Sequence, residues 1–351
     1  MSVVMPAYNC ERYVMESVAS ILHQTLLDLE LIVIDDCSTD GTGDLLEGLH
    51  DPRVRLLRAP SHQGQTACIN LGLSAAQGEY VARQDADDIS TPERLETQVS
   101  FLEDHSQTMM VGSSGWLVDA GGRAPRPIRP RTNPLAIKWG LLFGTALINL
   151  MWRRYYVARH IGQYAPEMRY AEDYDFVARV ASVTLVANVP ARLMFYRRHA
   201  QAIGVAHRGS EDAAAERVCL RQLLDLMGSA PPVPIAWLRA VGLSAPDSVP
   251  AHELPRVLAL FGTVHDRFAS LAAGLSSAKR MDLLAVRRDA GASVGLALAS
   301  AYRRGVGGKA LAAALGWRTS AALDVAKEAS HVCRRRLGQM TSPGASPSNA
   351  D

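Results

Sequence analysis

Cysteine is scarce in this sequence and never occurs in close pairs. The 351 residues contain five cysteines, none of them in a CxxC motif: Cys10, Cys37, Cys68, Cys219 and Cys333. An odd number of widely spaced cysteines provides no disulfide framework and indicates free thiols. Because free thiols persist in reducing compartments, we expect a cytoplasmic protein.

Long apolar runs are also missing. Residues 2–5, with the sequence SVVM, already read as a strand and lack the basic start and long apolar core of a signal peptide. The longest uncharged apolar run near the middle of the chain, Trp139 to Trp152, is too short to cross a bilayer comfortably and indicates buried structure. With 48% hydrophobic and 21% charged residues, the composition is that of a soluble globular protein with one large domain and a smaller one.

The charges are nearly balanced in number but unevenly distributed. Residues 1–204 carry a formal charge of −4 and residues 205–351 a charge of +6, which leaves a net charge of +2. The basic second part fits an anionic membrane surface or a phosphate-bearing partner, and it also fits a solvated helical surface. Two of its segments, ASVGLALASAYRRG and KALAAALGWRTS, place apolar runs beside arginines. This pattern is typical of an interfacial helix at the inner membrane face and equally of an ordinary helical bundle.

Strand-like and helix-like segments alternate over the first hundred residues. Strands are predicted at residues 2–6, 29–35, 53–58 and 78–85, and helices at residues 11–24, 44–49 and 66–76 and from Thr91 onward. This alternation predicts an α/β fold with a mostly parallel sheet flanked by helices. Ligands of such sheets gather at the carboxyl ends of the strands.

The pattern is less regular after Asp104. The basic, proline-rich residues 123–134 predict a loop without regular secondary structure. A helix is predicted at residues 172–183, two strands at 184–189 and 192–198, and mainly helices beyond His207. We therefore expect one domain at residues 1–205, a helical region at 206–340 and a disordered tail at 341–351.

Three carboxylates crowd the end of the fourth predicted strand. Asp85, Asp87 and Asp88 stand within four residues in the stretch EYVARQDADDIS. Like charges this close repel each other, so a metal ion, a basic neighbour or solvent should offset them. Mg²⁺ often binds through one or two carboxylates together with substrate phosphates, which makes a metal-diphosphate site one reading and an acidic surface turn the other.

A second acidic pair, Asp35 and Asp36, follows the second predicted strand. A carboxylate at this edge can accept hydrogen bonds from a base or a ribose hydroxyl, or it can cap the next helix. Tyr8, in the PAYN stretch after the first strand, can stack on a base or pack in the fold.

Three further polar residues lie later in the chain. Glu172 and Asp173 stand at a helix start, where the helix dipole stabilises negative charge and where acids are common caps. His199 follows the last predicted strand and completes a metal site if the acids come near it.

These segments together resemble a known enzyme family. The stretches SVVMPAYN, LELIVIDDCSTDGT, GEYVARQDADDISTPERLETQ, AEDYDFVARV and YRRHAQ occur in the order found in inverting glycosyltransferases of family 2, which have the GT-A fold. The resemblance covers about residues 1–204 and implies a nucleotide-sugar-dependent hexosyltransferase. It also implies a nucleotide-diphosphate sugar donor, a glycan or lipid-linked acceptor, no nucleic-acid partner and a place in bacterial surface polysaccharide synthesis.

The resemblance implies a role for each candidate residue. Asp36, with Asp35 beside it, contacts uracil, Tyr8 stacks on the base, and Pro6 belongs to the same nucleotide-binding loop. Asp85 contacts the ribose, while Asp87 and His199 hold Mg²⁺ or Mn²⁺ with the donor diphosphate. Asp173 is the catalytic base, with Glu172 and Asp88 in supporting positions.

The sequence departs from the family pattern on the acceptor side. Many relatives carry Asn-Pro and His where this chain has Gly144, Thr145 and Leu147, and a Gly-Gly-Tyr where it has Gly162-Gln163-Tyr164. These differences concern the acceptor more than the chemistry of transfer.

Three other functions share parts of the pattern. An aspartyl-phosphate phosphatase also places DxD after a strand, but its motif requires Thr or Val where this chain has Ile89. Nucleotidyltransferases have a similar sheet but a Gly-rich triphosphate loop that this sequence lacks. A protein that binds nucleotide sugars without catalysing a reaction is the alternative outside the enzymes.

Overall fold

The computed structural model of the chain describes residues 1–274 and 280–306. Its strands are β1 (Ser2–Ala7), β2 (Glu30–Asp35), β3 (Val54–Arg58), β4 (Tyr80–Arg83), β5 (Ile89–Ser90), β6 (Thr108–Val118), β7 (Arg126–Ile128), β8 (Met151–Arg153) and β9 (Leu185–Arg197). Its helices are α1 (Val14–Leu22), α2 (Thr42–Glu47), α3 (Gln65–Ala75), α4 (Arg94–Asp104), α5 (Pro134–Leu141), α6 (Arg154–His160), α7 (Glu172–Val183), α8 (Ile203–Ala206), α9 (Arg208–Met227), α10 (Ile235–Gly242), α11 (Leu254–Ala273) and α12 (Arg280–Arg303).

All nine described strands form one sheet, in the order β3-β2-β1-β4-β8-β6-β9-β5 with β7 paired to β6. The first part is parallel, since β1 pairs with β2 and β4, and β2 pairs with β3. The later strands are mixed: β8 is antiparallel to β4 and β6, whereas β9 is parallel to β6. The α/β fold with flanking helices predicted from the sequence is confirmed.

The central strands are buried on both faces, as their continuous apolar sequence predicted. Val4 and Ile32 face one hydrophobic core, which also contains residues of α3, α5 and α7. Their neighbours Val3 and Leu31 face the opposite core with residues of α1 and α4. Because alternate residues point to opposite faces, each strand supplies both layers.

Two local predictions were wrong. The proline-rich stretch at 123–134 contains the short strand β7, which pairs with β6 through residues such as Arg126. Pro127 is tolerated because β7 is an edge strand, where a missing N–H costs no ladder hydrogen bond. The two strands predicted at 184–189 and 192–198 form one strand, β9, whose register against β6 shifts near Ser113 and Ser114.

The chain divides into two compact units, Met1–Val218 and a second beginning at Cys219. In the second unit α10, α11 and α12 pack together. Arg304 Nη1 donates to the carbonyl oxygen of Val249 over 2.6 Å, and Ser300 Oγ donates to Asp247 Oδ1 over 2.5 Å. The boundary predicted at 205/206 stays a prediction, and the predicted tail at 341–351 lies outside the described residues.

The described helices give no candidate for a membrane-spanning segment, since none is both long and apolar enough. The segment ASVGLALASAYRRG lies in and just after α12, where Val294, Ala297 and Ala301 are buried. The burial of these three residues fits the alternative in which the segment belongs to an ordinary helical bundle. The segment KALAAALGWRTS lies outside the described residues.

Gly72 allows α3 to lie directly on the sheet. A Cβ at this position would stand 2.5 Å from Val4 Cγ1 and 2.8 Å from Ile34 Cδ1, both buried atoms. We predict that Gly72→Ala lowers the free energy of unfolding by about 1–3 kcal/mol, because the packed core resists the added methyl group. Urea denaturation measures this change. Gly209→Ala, at a helical glycine with open space around it, is the matched control and should be neutral or stabilising. Equal stability of the two variants would contradict the close packing.

Candidate active site

A cavity of about 430 Å³ lies within the first unit, at the carboxyl ends of β1 and β4. It gathers nine of the ten residues proposed from sequence: Pro6, Tyr8, Asp36, Asp85, Asp87, Asp88, Glu172, Asp173 and His199. Asp35 is the exception. Its buried carboxylate Oδ1 accepts a hydrogen bond from Ser38 N over 3.1 Å, and it is not among the lining residues.

One end of the cavity is formed by Asp36 and the aromatic rings above it. The buried carboxylate of Asp36 accepts hydrogen bonds from Gln63 N over 2.7 Å and Gly64 N over 2.8 Å. His62 Nδ1 lies 2.9 Å from Asp36 Oδ2, and the His62 ring stacks on the Tyr8 ring with 4.1 Å between centroids. The result is a flat aromatic surface beside a fixed carboxylate, which is the shape and chemistry that a nucleobase needs.

An acid–imidazole pair, Asp87 and His199, also lines the cavity. His199 Nε2 lies 2.8 Å from Asp87 Oδ2, and the buried Nδ1 atom of His199 has no hydrogen-bond partner among the described residues. A carboxylate oxygen and an imidazole nitrogen at this separation suit two neighbouring ligands of one divalent cation. The described residues contain no cluster of three potential ligands, so a cation here would need further oxygen atoms from water or substrate.

Asp88 differs from its acidic neighbours because it is buried. Its Oδ1 accepts a hydrogen bond from Arg197 N over 2.8 Å. This bond fixes the acidic loop, residues 85–88 after β4, against β9. Burial raises the pKa of Asp88 well above its usual value, and the charges of Asp87 and Asp85 raise it further. Asp88 thus ties the loop that carries it to β9.

The other end of the cavity is the start of α7. Ala171 adopts a left-handed conformation with φ of 53°, and Glu211 of α9 accepts a hydrogen bond from Ala171 N over 3.3 Å. Glu172 and Asp173 follow directly, where the N-terminal helix dipole favours negative charge. Burial raises the pKa of Glu172 to about 7 and also raises the pKa of Asp173. A carboxylate with a raised pKa beside a cavity has the properties of a general base.

Comparison with known proteins identifies the family. The model of the family described as "Glycosyl transferase family 2" matches residues 2–158. A glycosyltransferase of Haemophilus influenzae that is described as uncharacterized is 32% identical over 229 residues, which cover 62% of this chain and 71% of that protein. The chain belongs to glycosyltransferase family 2.

Another relative of this family-2 chain carries a more specific name. The UDP-Glc:alpha-D-GlcNAc-diphosphoundecaprenol beta-1,3-glucosyltransferase WfgD of Escherichia coli is 35% identical over 112 residues. The match covers 32% of this chain and 44% of WfgD, so the chain spans less than half of that relative.

Two solved structures share the fold. Residues 1–349 of S. aureus TarS in complex with UDP-GlcNAc align with a TM-score of 0.55 and 19% identity, covering 87% of this chain and 91% of TarS 1–349. The mannosyltransferase PcManGT from Pyrobaculum calidifontis, in complex with GDP-Man and Mn²⁺, aligns with a TM-score of 0.51 and 20% identity, covering 89% and 85%. At these identities the likeness concerns the fold, and it confirms the predicted GT-A type.

Several polar residues of the family-2 site were missed in the sequence. They are His62, Arg83 and Glu211, which line the cavity, and the buried Arg94. Arg83 carried a signal, because an arginine in a buried strand directly before three acids needs a partner. The other three come close to the site only through the tertiary fold.

The side chain of Arg94 holds the residues on both sides of the acidic loop in place. Its guanidinium is fully buried and donates hydrogen bonds to Gln84 Oε1 over 2.6 Å, to the Arg83 carbonyl over 2.7 Å and to Ser90 Oγ over 3.0 Å. Gln84 in turn donates to the Asp88 carbonyl over 2.9 Å. Burial lowers the pKa of Arg94 to about 9, so the group stays charged at neutral pH.

We predict that Arg94→Met destabilises the protein by about 3 kcal/mol, because several buried acceptors lose their donor at once. Thermal and urea unfolding measure the loss. Arg58→Met, which removes an exposed arginine paired with Glu47, is the control and should change stability by no more than about 0.5 kcal/mol. Equal stability of Arg94→Met and wild type would contradict the anchoring role.

Proposed function

We propose that this chain is a metal-dependent, inverting hexosyltransferase of family 2. It takes a sugar from a nucleotide-diphosphate donor, a UDP-sugar, and transfers it to a hydroxyl of a glycan or lipid-linked acceptor in bacterial surface polysaccharide synthesis. One observation carries the proposal: a single cavity contains an aromatic ring beside a carboxylate, the Asp87–His199 pair, and an acid with a raised pKa. The names of the matched relatives support the same reaction class.

The donor binds along the cavity in this proposal. Tyr8 stacks on the base, and Asp36 accepts a hydrogen bond from it with the acceptor capacity left after its contacts to His62, Gln63 and Gly64. Pro6 lines the same end, and Asp85 accepts hydrogen bonds from the ribose. Asp35, which lies outside the lining, acts by holding the loop at Ser38.

Asp87 and His199 hold Mg²⁺ or Mn²⁺ in this proposal. When bound, the cation supplies positive charge that stabilises the diphosphate as it leaves. The two side chains fix its location beside the acidic loop, and Asp88 keeps that loop in place through Arg197.

Asp173 is the proposed general base. It removes the proton from the acceptor hydroxyl, whose oxygen attacks the anomeric carbon from the face opposite the diphosphate and inverts the configuration. A single displacement needs no nucleophile from the enzyme. Glu172 stands next to the base and forms an ion pair with Arg83.

We predict that Asp173→Asn lowers the transfer rate by about 10²–10⁴-fold, the usual contribution of a general base. Nucleotide affinity should be unchanged, since Asp173 does not contact the donor in this proposal. The rate is measured in a coupled assay that detects UDP released from a panel of UDP-sugars. Asp104→Asn removes an exposed carboxylate that is not among the lining residues and serves as the control. Near-normal turnover by Asp173→Asn would remove Asp173 as the base.

We predict that Asp87→Asn abolishes the metal dependence of nucleotide binding. A ligand at one hundred times its Kd stabilises the folded protein by about 2.7 kcal/mol, so thermal shift detects binding. UDP, GDP, dTDP and CDP are compared with Mn²⁺ and with EDTA, and the wild type should respond to UDP with Mn²⁺. Asp28→Asn, at an exposed carboxylate, should behave as wild type. An unchanged Mn²⁺-dependent shift in Asp87→Asn would place the metal ligand elsewhere.

A further inference from the structure

Arg83 connects the two acidic motifs of the cavity. It is the last residue of β4, and its side chain is only 11% exposed. Its Nε atom donates to Asp85 Oδ1 over 2.9 Å, and its Nη1 atom lies 3.0 Å from Glu172 Oε1. One buried guanidinium thus joins the loop after β4 to the start of α7.

The geometry of these two contacts differs. The Nε–Asp85 contact is an aligned hydrogen bond, whereas Nη1 lies at ion-pair distance from Glu172 without a hydrogen-bond alignment. Coulomb attraction depends on distance more than on alignment, so Arg83 still offsets the charge of Glu172. Because the guanidinium is planar and has several donors, it can reach both acids at once.

We propose that Arg83 is a positioning residue that holds the donor-binding acid Asp85 and the base-side acid Glu172 in one ion-paired unit beside the base Asp173. This inference rests on the proposed function, because it assigns Asp173 as the base. Arg83 itself touches neither the donor nor the acceptor in this account. It acts through the acids that it holds.

The charges around Asp173 support this role. Burial raises the pKa of Asp173, Asp85 raises it further, and Arg83 lowers it. Glu172, on the same helix, has a pKa of about 7 and responds to the same groups. Other titratable groups near Asp173 are Glu211 of α9, Tyr196 of β9 and Tyr164, and burial is the main cause that raises the pKa of each. Arg169, Tyr170 and His207 line the same cavity.

Removal of Arg83 should shift the acid limb of the pH–rate profile, and the direction of the shift follows from the charge of Arg83. Arg83 lowers the pKa of Asp173, against the effects of burial and of Asp85. Without it, Asp173 and Glu172 both hold their protons to higher pH. Because the base works only when deprotonated, the acid limb of the pH–rate profile must move to higher pH. The two acids titrate as a coupled pair, so the limb reports the pair and not one residue.

The test compares pH–rate profiles of wild type, Arg83→Gln and Arg83→Lys. The rate is UDP release from UDP-glucose with Mn²⁺, with water as acceptor. We expect the acid limb of Arg83→Gln to move up by about one pH unit or more, the shift that an opposite charge at short range produces. The acid limb of Arg83→Lys should lie between those of wild type and Arg83→Gln, because a single ammonium keeps the charge but not both contacts. UDP affinity should fall by less than about tenfold, since only the support of Asp85 is lost.

Glu172→Gln provides a second test, in which the expected shift has the opposite direction. This test holds even where Arg83→Gln fails to fold. Removing the neighbouring negative charge should move the acid limb to lower pH. The double variant Arg83→Gln/Glu172→Gln should lie closer to wild type than Arg83→Gln alone. Arg58→Gln, at an exposed pair with Glu47, is the control and should leave the profile unchanged.

Failure of the inference differs from failure of the function. Wild-type turnover with an acid limb that stays in place in the Arg83 and Glu172 variants would overturn the role of Arg83 alone. A uniform loss of rate at every pH would mark Arg83 as merely structural and would also overturn it. Absence of turnover and of UDP binding in the wild type would overturn the proposed function instead.

Discussion

The concentration of negative charge at one edge of the sheet is the constraint on which the site depends. Seven carboxylates line the cavity: Asp36, Asp85, Asp87, Asp88, Glu172, Asp173 and Glu211. Repulsion of this strength would open the loops that carry them unless nearby groups offset it. Arg83 pairs with two of these acids, Arg94 holds the backbone beneath the loop, and burial favours the protonated form of Asp88. The charge that remains faces the cavity, where a divalent cation would offset it.

The mixed sheet explains how these groups come together. The parallel strands β1, β2 and β4 end at the same edge, which places Tyr8, Asp36 and Asp85 near one another. The later strands bring in residues distant in sequence, because β9 pairs with β5, directly after the acidic residues, and so brings His199 to Asp87. In the proposed function, elements that follow one another in the chain bind the donor and supply Asp87, while elements from the second half of this unit supply His199 and the base.

Sequence reasoning succeeded where the signal is local. The continuous apolar runs predicted the buried strands, and acids after strand ends predicted an acidic site because parallel strands end together. It failed where the outcome depends on tertiary contacts. Asp35 and Asp36 are adjacent and alike, but strand alternation turns one toward the cavity and the other toward Ser38. Strand β7 forms only because β6 offers an edge to pair with, and the contact of Glu211 with Ala171 joins segments that no short-range pattern relates.

The central claim is that one cavity holds the nucleotide by Tyr8 and Asp36 and the cation by Asp87 and His199. The most direct test is a crystal structure of the protein with UDP and Mn²⁺, measured near the manganese absorption edge. We predict an anomalous peak coordinated by Asp87 Oδ2 and His199 Nε2 and the diphosphate, with uracil stacked on Tyr8. Bound UDP with the manganese peak elsewhere, or uracil away from Tyr8, would contradict the account.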